Sequence, residues 1–352
     1  ELDATAGPAV EEALAGVRQV EVGESWLALQ TRLRKAARVS ARPPKALAAE
    51  LRPYQQAGYA WLRQLSTWGV GACLADDMGL GKTVQAIALL ISRAQARKGP
   101  ALVVAPTSVG FNWIRELKRF APKLKALSWR ESERSEELVA GLKTNAVVVV
   151  SYDLARIDGE LLKARTWGTL VFDEAQQVKN GATKTARALR EIRGGWRLAL
   201  TGTPIENHLG ELWSLFRLIS PGLFGSWESF KARYAVPIER DGDVEARARL
   251  ADRIQPFVLR RTKSEVLHDL PPRTDVRLDV ELGANERKLY EQARLEAITD
   301  LVQGEGAPSA KDKRFQIMAA LTRLRQLACH PRLVDGAWRH ETSKLSRFLA
   351  LV

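Results

Sequence analysis

The chain has 352 residues, of which 45% are hydrophobic and 27% are charged, a balance typical of a folded globular protein rather than a disordered one. Its net charge of +13 favours a polyanionic partner, although a solubilising surface would give the same charge. Two cysteines argue against a disulfide framework, and no apolar run is long enough to cross a bilayer. We therefore expect a reducing compartment and no membrane contact.

The first two segments of the chain differ in pattern. Residues 1–44 are predicted to form a helical N-terminal flank that ends at the Pro43–Pro44 pair. Across residues 45–218, short β-branched runs alternate with amphipathic stretches long enough for helices. This alternation predicts an α/β fold in which helices cover both faces of a parallel sheet. The runs are Ala101–Ala105, Ala146–Ser151, Thr169–Phe172 and Leu198–Leu200.

The pattern changes after Ile219. Residues 219–275 carry few strand signals and many Arg, Glu and Ala residues, which predicts a helical insertion. Residues 276–283 alternate apolar and polar side chains, and we expect them to form one strand that returns to the sheet. Residues 284–352 are predicted to be helical.

Residues 76–83, with the sequence DDMGLGKT, have the composition of a loop that wraps a polyphosphate. Gly79 and Gly81 would let backbone amides approach the phosphate oxygens, which a Cβ would block. Lys82 would supply positive charge, and the Thr83 hydroxyl is suited to Mg²⁺. The match to G-x-x-x-x-G-K-[ST] is imperfect because Asp76 stands at the first glycine position. The alternative is a plain glycine-rich turn ahead of a helix.

A second candidate site element follows the apolar run Thr169–Phe172. This run ends in Asp173 and Glu174, and in nucleotide-binding sheets the carboxyl ends of strands lie beside the phosphate loop. Asp173 would hold the Mg²⁺ hydration shell, and Glu174 would polarise the attacking water. Paired acids at a strand end can also be a solvated cap. Together with the glycine-rich loop, they indicate a site that binds a polyphosphate with Mg²⁺ and hydrolyses it.

The residues Asp173-Glu174-Ala175-Gln176 resemble the second motif of superfamily 2 helicases in its DEAQ form. Further segments, in the expected order, are similar to motifs of the Swi/Snf-like branch of that superfamily. They are Leu51–Gln55, Leu102–Ser108 with Asn112–Trp113, Ser151–Tyr152, Leu200–Asn207, Leu259–Val266 with Leu270–Pro272, and Leu324–Leu327 before His330–Pro331. The DEAQ form and the short insertions favour a bacterial source.

The resemblance implies roles for residues outside the ATP site motifs. Gln55 would hydrogen-bond the adenine edge of ATP. Gln176 would couple hydrolysis to lobe movement through the motif that contains Thr201, Gly202 and Thr203. Hydroxyl groups in the resembling segments would contact DNA phosphates, with strand-end capping as the alternative. These hydroxyls belong to Thr107, Ser108, Ser151 and Tyr152.

At the level of the whole molecule, the resemblance implies a RecA-like first lobe with a helical insertion. The implied activity is a DNA-dependent ATPase that uses ATP and Mg²⁺, moves along double-stranded DNA and remodels protein–DNA complexes. Residues 284–352 would lead toward a second RecA-like lobe, whose arginine finger this chain lacks, so the chain alone should be nearly inactive. The expected location is cytoplasmic, at a bacterial nucleoid, or nuclear in a eukaryote.

Two other functions and one structural question stay open. In the first alternative, a motor of the same fold acts on RNA or recycles RNA polymerase; RNA polymerase or another DNA-bound protein is also a candidate partner. The second alternative is a nucleotide-gated binding module that never hydrolyses ATP, against which Lys82 and the paired acids count. The basic cluster Arg260, Arg261 and Lys263 could meet DNA or acidic residues of the second lobe.

Overall fold

The computed structural model describes residues 24–39, 42–204, 207–266, 276–303 and 310–351. The chain divides into two compact units, one ending at Leu270 and the other beginning at Pro271. Most of the predicted N-terminal flank lies outside the described residues; the part that is described contains a helix at Glu24–Ala37.

The first unit is built on a seven-stranded parallel sheet. Its strands are β1 Ala72–Leu74, β2 Ala101–Ala105, β3 Lys125–Ser128, β4 Ala146–Ser151, β5 Thr169–Asp173, β6 Arg197–Leu200 and β7 Val258–Leu259. Their order across the sheet is β3-β4-β2-β5-β6-β1-β7. Every residue of β1, β2 and β5 is buried. Because successive side chains of a strand point to opposite faces, helices must cover both faces, and the predicted α/β fold is confirmed.

Helices surround this sheet. They are α1 Glu24–Ala37, α2 Pro53–Trp68, α3 Lys82–Gln95, α4 Thr107–Phe120, α5 Glu136–Gly141, α6 Tyr152–Ile157, α7 Gly159–Lys163, α8 Lys184–Glu191, α9 Leu209–Ile219, α10 Trp227–Phe230, α11 Val236–Glu239, α12 Val244–Ile254 and α13 Lys263–Val266. Short 3₁₀ turns occupy Ala175–Val178 and Gln255–Phe257, and a π turn occupies Lys231–Ala235. Residues 219–257 are thus mostly helical with turns between the helices, and residues 267–275 of the predicted insertion lie outside the described residues.

The strand predicted at 276–283 is wrong. These residues have no regular secondary structure, and Val276 and Leu278 are 74% and 44% exposed. The edge of the sheet beside β1 is instead occupied by β7, which lies inside the predicted insertion 219–275. Alternating apolar residues form a strand only where a neighbouring strand offers unpaired backbone groups, and local sequence does not contain that information.

The parallel arrangement brings three chain segments to one edge of the sheet. Strands β5, β6 and β1 are neighbours, and Asp173 at the end of β5 pairs in register with Leu200 at the end of β6. The loop after β1, the carboxylates at the end of β5 and the segment after β6 therefore emerge side by side. This edge is where ligands bind in open parallel sheets.

The second unit contains two long helices, α14 Ala284–Gln303 and α15 Ala310–Cys329, which pack against each other, and a short helix α16 Ser343–Leu349. Glu286 in the first turn of α14 is buried and accepts hydrogen bonds from the backbone amides of Gly283 and Ser343. The bond from Gly283 fixes the start of α14, as in a capping box, and the bond from Ser343 ties the start of α16 to it. In the described parts of the chain, no helix has the length and apolarity needed to span a bilayer.

Candidate active site

The loop between β1 and α3 is shaped by two glycines. Gly79 and Gly81 have φ angles of 88° and 77°, in the left-handed region that other residues rarely adopt. A Cβ on Gly81 would lie 2.4 Å from Nε2 of Gln55, so a side chain here would displace the Gln55 amide from its place beside the loop. The loop thus runs close to α2 and enters α3 directly at Lys82, where a helix N-terminus favours an anion.

The Lys82 ammonium is held by its own loop. It donates hydrogen bonds to the backbone carbonyls of Asp76, at 2.6 Å, and Asp77, at 3.3 Å. Thr83 follows in the first turn of α3 and is half-buried. Because both acceptors are neutral carbonyls, a phosphate oxygen would be a stronger partner for the same ammonium.

Asp76, which stands at the first glycine position of the loop pattern, is fully buried and carries a bidentate ion pair. Its two carboxylate oxygens accept from Nε of Arg261, at 2.9 Å, and from Nη2 of Arg261. Arg261 was expected, with Arg260 and Lys263, to meet either DNA or acidic residues of a second lobe. It instead pairs with Asp76 inside the first unit. The backbone N–H of Lys263 donates to Asp77 at 3.0 Å, so the segment after β7 holds the loop at two residues.

The Arg261 guanidinium joins three other elements at this point. It donates to the carbonyl of Tyr54 in α2 and to Oε1 of Gln85 in α3, the latter at 3.0 Å, and it lies 5.4 Å from the centre of the Tyr54 ring. Gly58 leaves the required space, because a Cβ there would be 2.7 Å from Nη2 of Arg261. One side chain thus ties α2, the phosphate loop and α3 together.

Gln55, the predicted adenine contact, lies against the same loop. Its Nε2 donates to the carbonyl of Leu80 at 3.2 Å, and its Oε1 accepts from the backbone N–H of Arg52 at 3.0 Å. Tyr54 also donates its hydroxyl to the Leu80 carbonyl, at 3.2 Å. The side chain is thus beside the loop, with both amide groups bonded to backbone, and its contact with adenine stays a prediction.

Asp173, at the end of β5, is held by Trp113. The buried indole N–H of Trp113 donates to Oδ2 of Asp173 at 2.7 Å, and the backbone N–H of Glu174 donates to Oδ1 at 2.9 Å. Burial raises the pKa of Asp173, the Trp113 hydrogen bond lowers it, the Glu174 charge raises it and the Lys82 charge lowers it. Lys82 follows β1 and Asp173 ends β5, and both strands end at the same edge of the sheet.

Trp113 is the functional residue that the sequence did not reveal in this role. Its segment, Asn112–Trp113, resembles a family motif, and its side chain is fully buried in α4. The signal was its spacing: Trp113 and Leu117 lie four residues apart on the buried side of α4. A buried indole N–H needs an acceptor, and the acidic end of a neighbouring strand supplies one.

The donor set at this edge suits Mg²⁺ bound together with phosphates. Mg²⁺ in nucleotide sites takes one or two protein oxygens, and phosphates and water supply the others. Asp173 and the Thr83 hydroxyl offer such oxygens. In the described ranges no group of three or more His, Cys, Asp or Glu side chains is arranged as a metal cage. Asp173, whose charged form is destabilised by burial, would gain from a neighbouring cation.

A chain of hydrogen bonds joins the ends of β5 and β6. Gln176 donates from Nε2 to Glu174 at 2.6 Å, and its Oε1 accepts from the hydroxyl of Thr201 at 2.8 Å. The Thr201 hydroxyl also accepts from the backbone N–H of Thr203 at 3.1 Å. Glu174 has a φ angle of +48°, a strained value for a residue other than glycine. Gln176 thus contacts Thr201 directly, and its role in coupling stays a prediction.

Gly202, the remaining residue of the predicted coupling motif, faces the phosphate loop. A Cβ on Gly202 would lie 3.7 Å from Cγ of Met78, so the segment after β6 approaches the loop closely. Met78 itself is 72% exposed. The three segments that emerge at this edge are therefore in mutual contact through Gln176 and Gly202.

The four hydroxyls predicted to contact DNA divide into two groups. Thr107 and Ser108 are exposed in the first turn of α4. Ser151 is half-buried and caps α6, accepting from Leu154 N–H at 3.3 Å, which is the capping role held as the alternative. Tyr152 is buried, and its hydroxyl donates to the backbone carbonyl of Asp173 at 2.8 Å. The predicted phosphate contact of Tyr152 is therefore wrong, because its hydroxyl supports the acidic strand end instead.

Comparison with known proteins gives consistent matches. The model of the SNF2-related domain matches residues 54–333. The Bacillus subtilis protein YwqA, named as an ATP-dependent helicase/translocase, is 42% identical over 289 residues, covering 80% of this chain and 31% of YwqA. The Arabidopsis thaliana ISWI chromatin-remodeling complex ATPase CHR17 is 35% identical over 302 residues, covering 84% of this chain and 27% of CHR17.

Solved structures agree with these relatives. The Sulfolobus solfataricus SWI2/SNF2 ATPase core in complex with double-stranded DNA is 34% identical, with a TM-score of 0.62, covering 89% of this chain and 66% of that one. The ATPase core domain from the same organism gives a TM-score of 0.61, again at 34% identity, covering 86% of this chain and 62% of that one. The chain spans less than a third of the two curated relatives described above.

The Asp76–Arg261 pair should dominate the stability of the loop. Arg261→Ala leaves a buried carboxylate without a partner and should lower the free energy of unfolding by about 3–5 kcal/mol. Arg249→Ala is the matched control, since Arg249 pairs with Glu245 on an exposed helix face, where such pairs contribute about 0–1 kcal/mol. Urea unfolding of both variants decides the question. Equal losses of stability would show that the pair is not the anchor described here.

Trp113→Phe should raise the pKa of Asp173 further. The indole hydrogen bond favours the charged carboxylate, so its loss lets Asp173 take up a proton at higher pH. Carboxyl ¹³C titration with Asp173→Asn as the assignment standard measures the shift. Trp129→Phe is the control, because Trp129 is equally buried and donates to Asp158 at 2.9 Å. An unchanged Asp173 titration in Trp113→Phe would refute the positioning role.

Proposed function

Because the chain belongs to the SNF2-related family, we propose that it is the ATP-binding first lobe of a motor that moves along double-stranded DNA and remodels protein–DNA complexes. The observation that carries this proposal is the single sheet edge at which the Lys82 loop, Asp173 and the Glu174–Gln176–Thr201 chain meet. A loop for polyphosphate beside a carboxylate pair is the arrangement that ATP hydrolysis requires. The relatives named for ATP-dependent activity support it.

Each side chain has a separate task in this proposal. Lys82 would exchange the carbonyls of Asp76 and Asp77 for the β and γ phosphates of ATP, and Gln55 would contact the adenine. Thr83 and Asp173 would hold Mg²⁺, which neutralises phosphate charge when bound. Glu174 would take a proton from a water molecule while the oxygen of that water attacks the γ-phosphorus. The bond from that phosphorus to the bridging oxygen then breaks, and ADP leaves.

The hydrogen-bond chain explains how the site could sense hydrolysis. Glu174 is bonded to Gln176, and Gln176 to Thr201, so a change in the charge environment of Glu174 is transmitted to the end of β6. Gly202 then approaches Met78 of the phosphate loop. We infer that, through these contacts, the loss of the γ-phosphate changes the conformation of the segment after β6. Such a change would couple hydrolysis to movement of a second lobe.

Duplex DNA is the proposed track. Thr107 and Ser108 are exposed at the N-terminus of α4, where hydroxyls and backbone amides suit a phosphate. The net charge of +13 adds a sequence-independent attraction. The solved relative with double-stranded DNA supports this choice over RNA. Recognition through phosphates alone would give binding without sequence preference.

The choice of nucleic acid is tested by ATP turnover. A protein extended through a second RecA-like lobe should hydrolyse ATP faster with duplex DNA than with single-stranded DNA or RNA of equal length. Stimulation should fall as salt rises, because phosphate contacts release counterions. Greater stimulation by RNA would favour an RNA-directed motor, and turnover indifferent to all three would remove nucleic acid from the proposal.

The 352-residue chain alone should bind ATP but hydrolyse it slowly. An arginine from a second lobe, which neutralises charge on the γ-phosphate, contributes roughly 10³–10⁵ in rate. Steady-state turnover of the chain should therefore lie about that far below the turnover of the extended protein, with and without duplex DNA. Strong DNA-stimulated turnover by the chain alone would show that the active site does not need a second lobe.

A further inference from the structure

The first unit carries a second concave surface that shares no lining residue with the candidate active site. This groove, here called the α8–α9 groove, encloses about 1090 Å³. It is lined by residues 179–182, by side chains of α8 and α9, and by Trp227 and Glu239. Its volume lies at the upper end of the range for small-molecule pockets.

Three arginines face this groove without an ion-pair partner. Arg187, Arg190 and Arg217 line it, and over the part of the chain that the structure describes no carboxylate lies within ion-pair distance of any of them. Glu191 and Glu228 act on Arg190 and Arg217 through space only. Three cations gathered in one concavity attract an anion.

The positive charges of the three arginines also repel one another. Burial lowers the pKa of Arg190, and the charges of Arg217 and Arg187 lower it further. Arg190 is fixed by a hydrogen bond from Nη1 to the Gly181 carbonyl at 2.9 Å, so it cannot swing away freely. Like charges held together by the fold would be relieved by carboxylates placed between them.

Two tryptophans give the groove an apolar surface. Trp213 is buried, Trp227 is half-buried, and their rings meet edge-on at 5.4 Å. The guanidinium of Arg217 lies 4.8 Å from the Trp213 ring. Gly210 leaves room for the Trp227 side chain, since a Cβ on Gly210 would lie 3.3 Å from the Trp227 indole. Tryptophan beside arginine is the composition found where protein interfaces bind most strongly.

The acidic residues of the groove are already engaged. Glu211 accepts from the backbone N–H of Asn207 at 3.3 Å and lies 4.0 Å from Nζ of Lys179. Glu239 accepts from the backbone N–H of Leu209 at 2.5 Å. Both carboxylates thus hold the start of α9, and they do not neutralise the three arginines.

We propose that the α8–α9 groove binds an acidic peptide segment that also carries an apolar side chain. Its carboxylates would pair with Arg187, Arg190 and Arg217, and its apolar side chain would pack on Trp227. A nucleic-acid duplex fits less well, because it presents a run of phosphates at its surface and offers no apolar side chain to Trp227.

The groove lies next to the coupling residues in sequence and in space. Residues 179–182 follow the 3₁₀ turn that contains Gln176, and the hydroxyl of Ser214 in α9 donates to the carbonyl of Val178 at 3.1 Å. A bound peptide would therefore contact the segment that leads away from Glu174 and Gln176.

The probe is a fluorescein-labelled synthetic peptide of twelve residues, Asp and Glu around a central Leu-Trp pair, followed by anisotropy with the 352-residue chain. Arg187→Gln/Arg217→Gln should weaken its binding about tenfold, because two charge-assisted contacts are lost. Arg247→Gln/Arg249→Gln removes the same charge from exposed positions of α12 and should leave the affinity within about twofold of the unmodified chain. Trp227→Ala should weaken it as well. Circular dichroism and urea midpoints confirm that each variant is folded.

Three outcomes would overturn the proposal. The first is that the peptide does not bind saturably. The second is that both double variants weaken peptide binding equally. The third is that Arg187→Gln/Arg217→Gln weakens the binding of duplex DNA more than the binding of the peptide. The last result would assign the groove to nucleic acid. The assay contains no nucleotide, so its result is independent of whether the chain hydrolyses ATP.

Discussion

A buried carboxylate at the start of the phosphate loop needs a positively charged partner, and in this chain the partner is an arginine 185 residues further along. Asp76 is fully buried, and Arg261 reaches it from the segment after β7. An unpaired charge at this place would cost several kcal/mol. The loop can therefore form only when β7 has joined the sheet beside β1, which makes the nucleotide site dependent on the completed fold.

The same edge of the sheet organises the chemistry. Parallel strands end side by side, so a lysine after β1, an acidic pair at the end of β5 and a threonine after β6 meet without any long-range loop. Trp113 and Tyr152, both buried, hold the end of β5 from two directions. Asp173, which we propose to hold Mg²⁺, is thus positioned by two buried aromatic side chains, as preorganisation requires.

Sequence reasoning predicted the parts of this site that are local. The DDMGLGKT loop and the strand that ends in Asp173 and Glu174 each carry their chemistry within eight residues. It did not predict the partner of Arg261, the hydrogen bond from Trp113 or the buried hydroxyl of Tyr152, because each depends on side chains that only tertiary packing brings together. The strand expected at 276–283 is absent for a related reason: the alternation is present, but a strand also needs a neighbouring strand to pair with, and local sequence does not contain that information.

The central claim is that Lys82 binds the phosphates while Glu174 serves hydrolysis, and calorimetric titration of the 352-residue chain with Mg·ATP tests it directly. Lys82→Ala should weaken binding by about tenfold or more, because the phosphates lose a charge-assisted partner. Glu174→Gln should bind ATP as the unmodified chain does, since its carboxylate acts on water rather than on phosphate. Unchanged affinity in Lys82→Ala, or equal loss in both variants, would contradict this assignment of the site.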